Sequence, residues 1–191
     1  MNEEFDAEIA RTLKVLKEGG VILYPTDTIW GIGCDATNSR AVEKVYKIKK
    51  RKENKSLIIL VNDFKMLGNY VDKVPEIAGD LFASIDKPVT VIYDNASNLP
   101  KNVVAPDGTI AIRIVKDEFC SRLIGEFGRP VISTSANISG EAAPLVFSKI
   151  ADSIKVQVNY TVQLYHDLFM QAKASTIIRL FGSGDYKIIR E

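Results

Sequence analysis

Cysteine and histidine are scarce in this sequence, with Cys34, Cys120 and His166 as the full set among 191 residues. Three such side chains are too few for a zinc framework, and both cysteines are expected to be buried thiols of a reducing compartment. No hydrophobic run approaches the roughly 20 residues of a membrane span, and the acidic amino terminus has no apolar stretch typical of a secretory signal. The sequence therefore predicts a cytoplasmic protein that does not associate with membranes.

Excess charge is also missing, since the formal net charge is only +1. A protein that coats nucleic acid is usually far more basic, so any positive site must be local. One such place is a basic run with a single acid, Glu53; its cations are Lys44, Lys47, Lys49, Lys50, Arg51, Lys52 and Lys55. The run is either the solvated end of a helix, which suits the helix dipole, or a site for a phosphate-rich ligand.

The hydrophobic pattern predicts one α/β domain over residues 1–191, with a mixed sheet, flanking helices and no second domain. Apolar residues recur at helical spacing from Phe5 to Leu16, and Gly19 and Gly20 end that helix. A second helix is predicted over 40–50 with Ser39 as its N-cap. Further helices are predicted at 63–69, 75–85 and 117–126, and strands at 21–24, 56–61, 88–93, 109–115, 130–135, 175–181 and 186–190, the last two as a hairpin.

Three segments could carry chemistry. YPTDTIWGIGCD (24–35) follows a strand with hydroxyls, a carboxylate and two glycines, which either approach a ligand closely or form a simple turn. STSANISG (133–140) carries hydroxyl and amide groups that can bind phosphate, ribose or carboxylate, or can satisfy their own turn. Arg113 interrupts an apolar strand. Its forked guanidinium either binds the carboxylate of a ligand or forms half of a structural salt bridge.

No pair of nucleophile and general base is recognisable in this sequence. The lone histidine, His166, is more typical of a structural role than of catalysis. A reaction at such a site would depend on positioning and charge stabilisation, as phosphoryl and nucleotidyl transfer do.

Taken in order along the chain, these motifs resemble the YrdC-type family. YPTDTIWGIGCDA is similar to its YPTET-x-YGLG-x-DA segment, Lys49-Lys50-Arg51 to its K-x-R motif, and Ser135-Ala136-Asn137 to its S-x-N motif. KPVTVI (87–92), TIAIRIV (109–115), Ser175-Thr176-Ile177 and Arg190 match the GPVT strand, the TVAVR strand, the S-T-I segment and the terminal arginine. Together they cover nearly the whole chain.

The resemblance implies a twisted mixed α/β domain around a concave, positively charged site. It also implies an L-threonylcarbamoyladenylate synthase, which makes threonylcarbamoyl-AMP and pyrophosphate from L-threonine, bicarbonate and ATP with Mg²⁺. A partner transferase complex would then modify an adenosine of tRNA to N6-threonylcarbamoyladenosine. By position, the implied catalytic residues are Lys49 and Arg51; the ATP-binding residues are Lys49, Arg51, Thr109, Asn137 and Arg190; and the threonine-binding residues are Thr26, Arg113, Ser135 and Ser175.

The sequence departs from the family pattern at several positions, among them Asp27, where glutamate is common, and Trp30, where tyrosine is common. Rival hypotheses are a YciO-like paralogue with little synthase activity, a non-catalytic RNA-binding module, and an accessory domain cut from a larger enzyme. The K-x-R and S-x-N pairs favour the synthase over the paralogue. The near-neutral net charge argues against the RNA-binding module, although weak RNA binding is compatible with the basic run.

Overall fold

The computed structural model describes residues 3–51, 57–168 and 175–190. Within them the helices are α1 (Glu3–Lys17), α2 (Ser39–Ile48), α3 (Phe64–Leu67), α4 (Ile77–Ser84), α5 (Glu118–Phe127) and α6 (Asp152–Lys155), with a 3₁₀ turn at Phe147–Lys149. The strands are β1 (Ile22–Tyr24), β2 (Gly31–Gly33), β3 (Ile58–Val61), β4 (Val89–Tyr93), β5 (Ile110–Ile114), β6 (Val131–Ser135), β7 (Tyr160–Thr161), β8 (Thr176–Leu180) and β9 (Tyr186–Arg190).

The described strands form one mixed sheet in the order β7-β1-β2-β6-β3-β5-β4-β8-β9. Parallel pairing joins β3 to β5, β4 to β8 and β1 to β7, and the other neighbours are antiparallel. The predicted mixed sheet is thus confirmed. The continuously apolar strand β3 lies at its centre, where both faces of a strand are most often covered.

The two faces of the sheet are covered unequally. Helices α2, α3 and α4 pack over one face, where alternate β5 residues, including Ile110 and Ile112, join the larger hydrophobic core. Helices α1 and α5 form a second core on the opposite face, over β1 and β3, with Phe5 and Phe119 in edge-to-face contact at 6.0 Å between ring centroids. Because side chains alternate along a strand, Ala111 and Arg113 point away from the larger core. They face the part of the sheet beyond α1 and α5, where the main cavity opens.

Local sequence signals explain most of the helix ends. Helix α1 has acidic residues in its first turn and lysines in its last, which suits the helix dipole, and Gly19 leaves it with φ of +72°. The predicted N-cap of α2 is wrong by one residue. Asn38 takes that position, because its side-chain oxygen accepts hydrogen bonds from the backbone N–H groups of Arg40 and Ala41.

The segment at 24–35 is not only a loop. Residues 31–33 form β2, which pairs with both β1 and β6. A Cβ atom on Gly33 would lie 2.5 Å from the carbonyl oxygen of Ile132 and 2.6 Å from the ring of Tyr24. This glycine therefore permits a close approach between strands, which gives it a structural reason, and the predicted approach to a ligand stays a prediction. The short edge strand β7 has no counterpart among the predicted elements, because Tyr160 and Thr161 alone give no period.

Further predictions concern the two cysteines, membrane spans, the basic run, and the location and domain organisation of the protein. Cys34 and Cys120 are buried free thiols, as expected. No helix in the described ranges is long and apolar enough to cross a membrane. Residues 52–56, which carry part of the basic run, lie outside the described residues, and the cytoplasmic location and the single-domain organisation stay predictions.

Candidate functional site

The main cavity lies on the open part of the sheet and has a volume of about 420 Å³. Ligand pockets typically measure roughly 300–1,000 Å³, so it has the size of a small-molecule site. Five of the predicted site residues line it: Arg51, Arg113, Ser135, Ser175 and Arg190. The other lining residues are Thr28, Ile29, Leu57, Ile58, Ile92, Ala111, Ser133, Thr134, Ala143 and Ile177. The described lining has three arginines and no carboxylate, a composition suited to an anionic ligand.

Arg113 is held by the turn that follows β1. Its Nη2 atom lies 3.1 Å from Oδ1 of Asp27, and its Nη1 donates to the hydroxyl of Thr28 at 3.3 Å. The arginine is only 4% exposed, and its buried Nε atom has no hydrogen-bond partner among the described residues. The predicted salt bridge is therefore present, and the carboxylate-binding fork stays a prediction.

Thr26 and Thr28 have different surroundings although they lie two residues apart. The Thr26 hydroxyl donates to the carbonyl of Ile29 at 2.7 Å and accepts from the N–H groups of Thr28 and Ile29, so it shapes the turn. Thr26 is absent from the main cavity lining, whereas Thr28 is part of it. Sequence reasoning missed Thr28, although its place in the same hydroxyl-rich segment was a usable signal.

Lys49 lies beneath the S-x-N loop and does not belong to the described cavity lining. Its ammonium group donates to the backbone carbonyls of Ser135, at 2.5 Å, and Asn137, at 2.7 Å, with the Asn137 side-chain oxygen at 3.4 Å. The residue is 2% exposed, and its own carbonyl accepts from the N–H of Ser139 at 2.9 Å. Lys49 thus ties the end of α2 to the loop that carries Ser135.

The end of α2 turns the chain sharply between Lys49 and Arg51. The N–H of Arg51 donates to the carbonyl of Tyr46 and the N–H of Lys50 to that of Lys47, the two bonds of a Schellman motif. Lys50 occupies the left-handed position of this motif with φ of +48°. The turn lets Lys49 bond the loop while Arg51 lines the cavity, whereas residues two apart on a continuing helix would point to different sides.

Replacing Lys50 with glycine is expected to stabilise the protein, because a side chain in the left-handed region is strained by roughly 1 kcal/mol. Lys50 is exposed, so no packing is lost. Lys50→Ala is the matched control, since it removes the same side-chain charge and keeps the strain. Thermal and urea unfolding should rank the glycine variant above the alanine variant. The reverse order would show that the turn is not strained at this residue.

The remaining predicted residues frame the site. The Ser175 hydroxyl shares a hydrogen bond of 2.7 Å with the buried Thr90 of β4, and its carbonyl accepts from Nη2 of Arg190 at 2.8 Å. Thr109 donates its hydroxyl to Asp107 at 2.7 Å and is not part of the described lining. Asn137 is not part of it either.

Asn137 instead stabilises its own loop. Its amide nitrogen donates to the carbonyls of Ile138, at 3.0 Å, and Glu141, at 2.7 Å. Together with the contact from Lys49, this uses both ends of the side-chain amide. The structure therefore brings five of the predicted residues to the lining of one cavity, whereas Lys49, Thr109, Asn137 and Thr26 are not part of that described lining.

Activity of this site should fall as the pH rises through about 8. Burial, and to a lesser degree the nearby charge of Arg51, lower the pKa of Lys49 to about 8. Below that pH the ammonium form holds the loop, and above it the neutral amine has one donor fewer. The dependence of kcat/KM on pH reports groups that titrate before the substrate binds, so a basic limb near pH 8 is expected.

Lys49→Met and Lys47→Ala separate this explanation from others. Lys47 is exposed on α2, and its removal should leave the basic limb in place. The methionine variant should have low activity without that limb. A limb near pH 8 that persists in Lys49→Met would assign the titration to another group.

His166 is not part of the described cavity lining. Its ring stacks on Phe147 with 3.7 Å between centroids, and both rings contact the buried Trp30. One ring nitrogen of His166 lies 2.7 Å from the carbonyl oxygen of Val162. These contacts agree with a structural role. The described residues contain no group of three or more histidine, cysteine or acidic side chains arranged to hold a metal ion.

Comparison with protein families relates this architecture to known sequences. The model of the Sua5, YciO and YrdC family, described as "Telomere recombination", matches residues 14–191. A threonylcarbamoyl-AMP synthase of Pseudoalteromonas translucida is 38% identical over 157 residues, covering 81% of this chain and 84% of the relative. The enzyme of the same name from Blochmanniella pennsylvanica is 30% identical over 179 residues, covering 92% of this chain and 89% of the relative.

Solved structures show the same fold. Sua5 of P. abyssi complexed with L-threonine superposes with a TM-score of 0.81 at 26% identity, over 90% of this chain and 50% of that chain. The chain therefore spans about half the length of that relative. YciO of E. coli has a TM-score of 0.81 at 24% identity, over 96% of this chain and 88% of that one, and is evidence for the fold alone.

Proposed function

The chain belongs to the Sua5, YciO and YrdC family, and from this premise we propose that it synthesises threonylcarbamoyl-AMP from L-threonine, bicarbonate and ATP. The observation that carries the proposal is the partly satisfied Arg113, whose guanidinium lines a cavity free of described carboxylates. Such a group can bind the carboxylate of an amino acid through its remaining donors. The names of the relatives supply the identity of that amino acid.

Two groups of residues would contact the substrates, and a third group would hold the contacting residues in place. Arg113, Thr28, Ser135 and Ser175 would contact threonine, through one guanidinium and three hydroxyls. Arg51 and Arg190 would contact the phosphates of ATP. Lys49 and Asn137 would act by holding the loop that carries Ser135, and Thr26 by shaping the turn that carries Thr28.

The reaction needs no protein nucleophile. The amino group of threonine and bicarbonate form a carbamate with loss of water, and a carbamate oxygen attacks the α-phosphorus of ATP while pyrophosphate leaves. Negative charge on the phosphates is then what the protein must stabilise, and positioned arginines do this without proton transfer. Since the described lining has no carboxylate, Mg²⁺ would enter as part of the substrate MgATP, held by the phosphates.

The product is a mixed anhydride, which is the activated form needed to acylate an amino group. A separate transferase complex would pass the threonylcarbamoyl group to an adenosine of tRNA. Any RNA contact by this chain itself would be weak and dependent on salt.

Pyrophosphate release tests the proposal. It should require threonine and bicarbonate together with MgATP, and omission of either should reduce release to background. Serine lacks one methyl group, a difference that a pocket distinguishes by roughly 1–3 kcal/mol, so it should be a poor substrate. A YciO-like paralogue without synthase activity would release no pyrophosphate under any of these conditions.

A further inference from the structure

Asp27 is buried beside Arg113 and has little else to hold it. Its side chain is 9% exposed, and Oδ1 lies 3.1 Å from Nη2 of Arg113. Neither carboxylate oxygen accepts a well-aligned hydrogen bond from the described residues. A buried carboxylate with so few partners destabilises the folded state. A contribution to stability therefore does not explain why the side chain is there.

A second acid lies near the same arginine. Asp117 caps helix α5 through the N–H of Cys120 at 2.8 Å, and its other oxygen is buried without a hydrogen-bond partner among the described residues. Burial raises the pKa of Asp27, and the charge of Asp117 raises it further, whereas Arg113 lowers it. The arginine thus has two possible counter-ions and makes its close ion pair with Asp27.

The ion pair with Asp27 sets the orientation of the Arg113 guanidinium. Asp27 binds Nη2 and Thr28 binds Nη1 from the turn after β1. This fixes the plane of the group. Each contact uses one N–H hydrogen, so one hydrogen on Nη1 and one on Nη2 remain for another ligand, whereas Nε is buried. If Asp27 lost its charge, Asp117 at the start of α5 would remain as an acid close enough to attract Arg113.

We propose that Asp27 is a positioning residue that orients Arg113 for the carboxylate of the amino-acid substrate, an inference that rests on the proposed function. Its charge acts through the arginine and does not touch the substrate. The side chain is therefore expected to affect amino-acid binding and to leave nucleotide binding alone.

Asp27→Asn keeps the size of the side chain and removes its charge, so it tests the proposal directly. Loss of this ion pair frees the guanidinium to turn away from the substrate carboxylate, and the KM for threonine should rise by about tenfold. The KM for ATP should change less than about twofold, and kcat should fall much less than kcat/KM. Asp27→Glu, which restores the charge, should recover part of the loss.

Asp117→Asn is the matched control, because asparagine caps a helix as well as aspartate does. It removes the other carboxylate near Arg113 and should leave the KM for threonine nearly unchanged. Adding Asp27→Asn to Arg113→Lys should also have little further effect, since residues that act through one another are not additive. An unchanged or lower KM for threonine in Asp27→Asn, or an equal effect of Asp117→Asn, would overturn the inference.

Calorimetric titration with threonine distinguishes this failure from failure of the proposed function. Wild-type protein that binds threonine, beside an Asp27→Asn variant that binds it equally well, would overturn the positioning role and leave the function intact. Wild-type protein that neither binds threonine nor releases pyrophosphate would overturn both.

Discussion

Replacing Arg51 with alanine should lower the rate of pyrophosphate release by roughly 10²–10³, the cost typical of removing one positioned charge from a transition-state site. The side chain leaves the turn at the end of α2 and lines the cavity. Burial lowers the pKa of Arg51, but an arginine remains charged at any physiological pH. Initial rates at saturating substrate give the effect, and the melting temperature checks that the fold is intact.

Lys47→Ala is the matched control for Arg51→Ala, because it removes one cation from the same helix end at an exposed position. Its effect should be mild and should fade at higher salt, since exposed charges are screened beyond about 10 Å at 0.1 M. Equal and modest losses in both variants would make the basic run a general positive surface. The assignment of Arg51 to the phosphates would then be wrong.

Arg113→Lys should raise the KM for threonine by about tenfold or more, because the shorter ammonium group keeps the charge and loses the two-pronged geometry. Lysine cannot reproduce the contacts with Asp27 and Thr28 and also present a fork to a ligand. The KM for ATP should remain nearly constant. Steady-state kinetics with each substrate varied in turn, on one preparation, measures both constants.

Arg129→Lys makes the same substitution in a different ion pair. Arg129 binds the buried Asp35 at 2.5 Å and is not part of the cavity lining. This control should lower the melting temperature without changing the KM for threonine. The same pattern in Arg113→Lys, a lower melting temperature with unaltered threonine affinity, would reduce Arg113 to a structural residue.

The sequence predicts the long elements well, and the reason is their periodicity. Helix α1 shows an apolar stripe, and β5 alternates between core residues such as Ile112 and cavity residues such as Arg113. Strand β7 escapes prediction because it has only two residues, and β2 because two of its three residues are glycines, which are rare in strands. They become strands because β1 offers both its edges for pairing.

The candidate site is likewise predicted from the sequence only in part. The resemblance places five residues in one site, and in the structure all five line one cavity: Arg51, Arg113, Ser135, Ser175 and Arg190. The direction of each side chain depends on contacts between distant residues, and a linear motif does not contain them. Lys49 bonds carbonyls more than 80 positions away along the chain, and Arg113 bonds the hydroxyl of Thr28, 85 positions away.

The most direct test of the account is the mass of the product formed from carbon-13 bicarbonate, threonine and MgATP. A threonylcarbamoyl-AMP synthase should give a nucleotide that contains adenylate, threonine and one labelled carbon, released together with an equal amount of pyrophosphate. The nucleotide should lose the label when unlabelled bicarbonate is used and should not form without threonine. An adenylate product that carries threonine without the labelled carbon, or no nucleotide product at all, would contradict the account.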